Sequence, residues 1–139
     1  MTLTQEKKSG TADRAVNWLL YVVDAGLMVT SGAIHVHLWD IAYRHVATLG
    51  PLFLVQAIAA LILAVAVLVT RNVLVVAAAL ALMAGTIVGF ICVRTVGLFG
   101  FTLTFTSGLA YTVLIVEIVA VAALALTGSL LLRRRVQAA

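Results

Sequence analysis

The sequence predicts an all-α protein that crosses a membrane four times, as an up-down-up-down helical bundle with both termini on one side. Three observations lead to this prediction. Hydrophobic residues make up 64% of the 139 residues and charged residues only 10%, which leaves too little polar surface to cover a water-soluble fold. The apolar residues form four stretches, each of about the 20 residues that a helix needs to cross a bilayer. Most of the basic residues lie in the two tails and in the turn between the second and third stretches, where they orient a membrane protein.

The predicted membrane domain covers residues 15–132. A polar tail of residues 1–14 precedes it, and a basic tail of residues 133–139 follows it; we expect both tails to lie outside the membrane. The apolar run after the first basic residues continues past Asp24, unlike the uncharged core of a secretory signal, so the N-terminal segment is expected to be retained. The four predicted spans are residues 15–36, 51–70, 73–93 and 109–132.

The distribution of Lys and Arg predicts the orientation of the bundle. Only Arg71 and Asn72 separate the second and third spans, which predicts a tight helical hairpin there. Seven basic residues fall on the side of this turn and both tails, against Arg44 and Arg94 on the other side. This imbalance predicts a plasma-membrane protein with both termini cytoplasmic and its two longer loops extracytoplasmic.

The net charge of +4 and pI near 9.9 do not point to nucleic acid, because the basic residues flank apolar spans. Anionic membrane lipid is their expected partner. No nucleic-acid partner is predicted.

Polar residues recur at helical spacing along the first span. These six residues, which we call the polar stripe, fall within about 40° of one line along the helix surface. A charged side chain at the bilayer centre costs at least about 2.5 kcal/mol, so Asp24 is expected to face the bundle interior or a wet cavity. Interhelical hydrogen bonding and a functional pathway both remain open. The stripe consists of Asn17, Tyr21, Asp24, Met28, Ser31 and His35.

Glu117 is the second acid inside a span. Counting about 1.5 Å per residue places it about 12 Å from the outer end of its helix and Asp24 about 13 Å from the inner end, so the two acids could share a site near the midplane. Such a site could hold a proton, bind a cation or reach a partner's charge. The alternative is a protonated Glu117 that is bonded to Tyr21 or Thr112. With Gln56, the predicted intramembrane polar or ion site comprises Asn17, Tyr21, Asp24, Ser31, Gln56 and Glu117.

A second polar cluster is predicted at the extracytoplasmic surface, where all three histidines lie. Imidazole and carboxylate groups suit a metal ion, but His35 and His37 would point about 200° apart on a continuous helix, so they converge only if the helix ends there. A bis-histidine haem is less favoured, because the other spans contain no histidine. The cluster comprises His35, His37, Asp40, Tyr43, Arg44, His45 and Arg94.

Two features concern packing. Gly85 and Gly89, extended by Ala81, form a small-residue face on the third span that lets a helix approach closely, either within the bundle or from a second copy or another subunit of a larger complex. Residues 101–106 alternate apolar and Thr side chains, which predicts an extended lid on the outer end of the bundle. The loop around Tyr43 is expected to form a short interfacial helix.

The stretch from Gly32 to Gln56, reading GAIHVHLWDIAYRHVATLGPLFLVQ, and VGLFGF at residues 96–101 resemble a set of small four-span integral membrane proteins found mainly in high-GC actinobacteria. The resemblance covers most of the chain. It implies a bacterial four-span topology and draws attention to the outer cluster, and it implies no activity.

Three functions follow as hypotheses. The first is an accessory or interaction subunit without evident enzymatic activity, whose outer loops contact a partner, a lipid or a small ligand. The second is a small proton- or cation-coupled transporter that uses Asp24 and Glu117. The third is a metal- or haem-binding redox protein that uses His35, His37 and His45. No cofactor is firmly implied, and the sequence indicates neither a nucleophile beside a base and its orienting group nor a phosphate-binding glycine motif.

Overall fold

The computed structural model describes residues 2–104 and 107–138, with side chains from 15 to 104 and from 107 to 137. Over these residues the chain forms four helices and no strand, and each helix is long and apolar enough to cross a membrane. This confirms the all-helical, multi-span prediction. The helices are α1 (Thr2–Leu38), α2 (Leu49–Thr70), α3 (Val73–Thr95) and α4 (Gly108–Ala138), and a π-helical turn, Trp39–Tyr43, follows α1 directly.

Two helices are longer than the predicted spans. Helix α1 extends back to Thr2, through residues predicted as a polar tail, and α4 extends to Ala138. Proline is absent from both extensions, so no residue removes a helical hydrogen bond there. The predicted interfacial helix takes the form of the π-helical turn, which continues α1 without a break.

Helices α2 and α3 are joined through Arg71 and Asn72. Arg71 ends α2 in the left-handed conformation (φ 47°, ψ 37°), and its N–H donates to the Val67 carbonyl (3.3 Å). The Asn72 side chain accepts from the Leu74 N–H (2.9 Å) and so caps α3. These two residues satisfy backbone groups that the helix ends leave free.

Helix α1 packs against α2 and α4, and α4 also packs against α3. The approach of α1 to α2 is closest at Gly32, where a Cβ would lie 3.3 Å from the Ala57 carbonyl oxygen. A core of small and flexible apolar side chains fills the half of the bundle near the Arg71 turn. Its fully buried members include Met28, Ala60, Val67, Val76, Ala79, Met83, Ala120 and Leu124.

The two ends of the bundle differ in their contacts. At one end, which we call the basic end, Arg71 and Arg134 contact the first residues of the α1 span. At the other, the loop end, Gly50 packs so tightly on the π-helical turn that a Cβ would lie 2.6 Å from the Tyr43 carbonyl oxygen. Residues 96–104, which follow α3 and which we call the covering segment, cover the loop end, with Phe101 edge-on to Tyr43.

This covering segment includes part of the predicted lid. Residues 101–104 lie outside any helix, and the Leu103 N–H donates to the Val93 carbonyl (3.0 Å), which fixes the segment to the end of α3. A tight turn precedes it, with positive φ at Gly97, Phe99 and Gly100. The predicted lid residues 105 and 106 lie outside the described residues.

Candidate functional site

A cavity of about 520 Å³ lies at the loop end and separates α2 from α3. Its size falls in the range of about 300–1,000 Å³ that is typical of small-molecule sites. Almost the whole wall is apolar. The principal wall residues are Leu52 and Phe53 of α2, Leu82, Phe90 and Val93 of α3, Val113 and Leu114 of α4, and Leu98, Phe99, Phe101 and Leu103 of the covering segment.

Besides the half-buried Tyr43 and Thr86, three buried polar residues contribute to the lining: His35, Gln56 and Glu117. They come from α1, α2 and α4, and their exposed fractions are 5%, 9% and 1%. The apolar wall and these three polar groups make the lining amphipathic. Such a lining suits a lipophilic molecule that carries a polar headgroup.

His35 and Glu117 form a hydrogen-bonded group with Ser31. The Ser31 hydroxyl donates to Glu117 Oε1 (3.1 Å), and His35 Nδ1 lies 2.9 Å from the Ser31 carbonyl oxygen. A carbonyl oxygen only accepts, so Nδ1 carries a hydrogen and Nε2 is the nitrogen left for other contacts. Nε2 lies 3.7 Å from Glu117 Oε1. The imidazole and the carboxyl group thus lie within ion-pair distance beside the cavity, but they are too far apart for a direct hydrogen bond.

Gln56 is one of the lining residues, and it carries an unsatisfied donor that does not itself open onto the cavity. Its Nε2 is buried and has no hydrogen-bond partner among the described residues. Leaving a buried donor unpaired costs about 1–3 kcal/mol. An acceptor atom on a bound molecule would remove this cost.

The residue types of a hydrolytic triad therefore meet here, which the sequence did not indicate. Their hydrogen bonds differ from those of a triad, in which the base accepts from the serine hydroxyl. Here the Ser31 hydroxyl donates to Glu117, and the nearer ring nitrogen of His35 is directed at a backbone carbonyl. The arrangement suits ligand binding better than activation of the serine.

Asp24 belongs to a different site. The Thr127 hydroxyl donates to its Oδ2 (2.6 Å), and its Oδ1 is buried without a partner among the described residues. Asp24 precedes Ser31 by seven residues, which is about 10 Å along a helix. The fully buried Met28 lies between them. The two acids thus have separate partners at different depths.

The remaining stripe residues lie toward the basic end. Tyr21 is buried, and Asn17 accepts a hydrogen bond from Arg134. They contact neither the cavity nor Glu117 within the described part of the chain. The predicted intramembrane polar site is therefore divided into three parts along α1.

The structure also divides the predicted outer cluster. Because α1 continues through Leu38, His35 faces the cavity while His37 is exposed. Tyr43 is half-buried and also lines the cavity. The remaining members lie at the surface: Arg44 lies 3.6 Å from Asp40 and donates to His45 (3.0 Å), and Arg94 donates to the Leu103 carbonyl (3.3 Å). Over the described residues, no three His, Cys, Asp or Glu side chains converge as a metal site would require.

Gly85, Gly89 and Ala81, predicted as a helix-packing face, line the cavity instead of contacting another helix closely. A Cβ on either glycine would meet nothing within 4 Å. Their small size leaves room for the cavity. Contact of this face with a second copy or another subunit stays a prediction.

Sequence reasoning missed Phe53, an aromatic residue that shapes the cavity. Phe53 stacks on Tyr43 with ring centroids 4.5 Å apart and lies 5.2 Å from the His35 ring. Phe53 holds the imidazole in place from the α2 side. An aromatic residue in an apolar span resembles ordinary core in the sequence, so no signal distinguished it.

No known protein family matches the chain, and no curated protein or solved structure matches it either. Its function is therefore inferred from the geometry of its own residues.

Proposed function

We propose that this chain is a plasma-membrane protein without catalytic activity that binds a small lipophilic molecule in the loop-end cavity, as an accessory or interaction subunit. In the proposed orientation both termini are cytoplasmic, the helices run up-down-up-down, and the cavity lies in the extracytoplasmic half of the membrane. The basic residues of both tails and of the Arg71 turn support this orientation.

The observation that carries the proposal is an apolar cavity of about 520 Å³ that also presents His35, Gln56 and Glu117. An apolar wall favours an apolar body, and a few placed polar groups fix the orientation of a ligand. Gln56 Nε2 has no hydrogen-bond partner among the described residues, so a turn of this side chain toward the cavity would let it donate to an acceptor on the headgroup, such as a carbonyl oxygen. Lipid-soluble carbonyl compounds, including quinones, have this combination.

The test fills the cavity without touching its polar groups. Gly85→Leu and Gly89→Leu place a side chain into open cavity space, and Gly26→Leu is the matched control, because a Cβ at Gly26 also meets nothing within 4 Å and Gly26 does not line the cavity. Each variant is purified from native membranes at matched yield, and its extracted lipophilic molecules are identified by mass spectrometry.

A compound that copurifies with the unaltered protein and with Gly26→Leu, but is lost from Gly85→Leu and Gly89→Leu, supports the proposal. Identical extracts from all four proteins would overturn it. Gln56→Leu provides a second readout, since it keeps the cavity apolar but removes the free donor, and it is expected to weaken retention of the same compound.

A proton-coupled transporter is a second candidate, favoured by the His35–Glu117 contact of 3.7 Å beside the cavity. Glu117→Gln can hydrogen-bond but cannot titrate, so it separates the two functions. Loss of proton flux in proteoliposomes with retained ligand copurification supports transport, whereas absence of flux from the unaltered protein excludes it.

A further inference from the structure

A second, smaller pocket of about 170 Å³ lies at the basic end, where α1 meets the Arg71 turn and α4. It is separate from the loop-end cavity and is independent of the proposed function. Its wall contains two arginines and one partly exposed tryptophan. The lining residues are Asn17, Trp18, Tyr21, Arg71 and Arg134.

Both guanidinium groups are held in place by neighbouring residues of α1. The Arg71 guanidinium lies 5.2 Å from the centroid of the Trp18 ring, a cation–π contact. Arg134 Nη2 donates to Asn17 Oδ1 (3.0 Å). Asn17 and Trp18 are adjacent in α1. Both guanidinium groups therefore lie at the same pocket, Arg71 from the end of α2 and Arg134 from α4.

The pocket therefore gathers positive charge. Across the side chains from 15 to 104 and from 107 to 137, neither arginine lies within ion-pair distance of a carboxylate. Among the α1 side chains that the structure describes, which begin at residue 15, the nearest acid is Asp24, and it is bonded to Thr127 instead. Two cations that converge in this way repel each other unless an anion lies between them.

We propose that Arg71 and Arg134 bind a phosphate group, and that this phosphate is the headgroup of an anionic membrane lipid. The planar guanidinium matches phosphate oxygens with paired hydrogen bonds. Basic pockets between helices at the cytoplasmic surface suit anionic headgroups. The α1 surface beside the pocket is exposed and apolar at Leu19 and Val22, which gives the acyl chains a surface on which to pack.

The experiment compares lipids on the purified full-length chain by native mass spectrometry. Phosphatidylglycerol is expected to remain bound more often than phosphatidylcholine. Arg71→Gln and Arg134→Gln are each expected to reduce that retention by at least about tenfold, because each removes a charged hydrogen-bond donor to phosphate. Arg133→Gln and Arg135→Gln are matched controls, because they remove the same charge from exposed positions that do not line the pocket.

Trp18 provides an independent readout in bilayers. Trp39→Phe leaves it as the only tryptophan, and its fluorescence is followed in phosphatidylcholine nanodiscs as phosphatidylglycerol is added. A saturating change that is abolished by Arg71→Gln supports the site. An equal change on adding inorganic phosphate alone would overturn the lipid assignment in favour of a free anion. No preference for the anionic lipid, or equal losses in the Arg133→Gln control, would overturn the site itself.

Discussion

The hydrogen bond between Ser31 and Glu117 gives a quantitative test of the cavity's polar group. Its Oγ–Oε1 distance is 3.1 Å, and it joins α1 to α4 in a buried setting. Ser31→Ala removes the donor, and Glu117→Leu removes the acceptor while retaining similar bulk. Interhelical hydrogen bonds in membranes contribute about 0.6 kcal/mol on average and at most about 1.7. We therefore expect a coupling energy between these limits when the two changes are combined.

The coupling is measured from the free energies of unfolding of the four proteins in mixed detergent micelles, followed by circular dichroism. The control cycle combines Ser31→Ala with Asp24→Leu, because Asp24 is bonded to Thr127 and makes no hydrogen bond to Ser31. Additivity within about 0.5 kcal/mol is expected there. If the Ser31–Glu117 cycle is equally additive, the described geometry of the site is wrong. A coupling well above about 1.7 kcal/mol would show that Glu117 accepts as a charged carboxylate.

Gly50→Ala is expected to destabilise the fold by about 1–3 kcal/mol, because its Cβ would lie 2.6 Å from the Tyr43 carbonyl oxygen. Gly26→Ala, at an unobstructed helical site, is expected to be neutral or to stabilise by up to about 1 kcal/mol; thermal unfolding of both variants checks the difference in sign. For the orientation, reporter fusions after Arg71 are expected to signal from the cytoplasm and fusions within residues 102–104 from the opposite side. A cytoplasmic signal from the second site would contradict the proposed topology.

The spans were predictable because membrane insertion depends on local composition. A stretch of about 20 apolar residues must form a helix in lipid, since its backbone groups have no other partners there. The helix ends were less predictable. The hydropathy of residues 2–14 and 133–138 does not indicate that the helices continue through them, because hydropathy reports side-chain polarity and not backbone conformation.

The hydrogen-bond partner of each buried acid was not predictable from the sequence. Counting residues from the ends of the spans places Asp24 and Glu117 at similar depths, but their partners depend on how α4 is shifted along α1. That axial register is set by packing of the whole helix pair. In the structure Ser31 is level with Glu117, and Thr127 is level with Asp24. A shift of about two to three helical turns would bring Asp24 level with Glu117 and would leave Ser31 and Thr127 without these partners.

The role of the small residues on α3 was also not predictable from the sequence. A Gly-x-x-x-Gly pattern allows close approach of a second helix, but the pattern only removes side-chain volume and does not specify what occupies the space. Around Gly85 and Gly89 the space is the cavity, because Phe53 and Tyr43 stack on the opposite side and hold α2 away. The sequence shows where volume is missing, and only the packing of the neighbouring helices decides whether a helix or a ligand fills it.

The separation of the two acids bears on which function this conformation supports. A proton on His35 or Glu117 has the cavity beside it, whereas the path toward Asp24 is interrupted by the fully buried Met28 and Leu124. Transport across the membrane would therefore need a second conformation, in which α1 and α4 slide or separate enough to admit water between the two sites. The proposed binding of a lipophilic ligand needs no such change, because the cavity is already present. The proposed binding function is therefore compatible with the conformation described, whereas the transport alternative requires ligand or proton binding to shift α1 against α4.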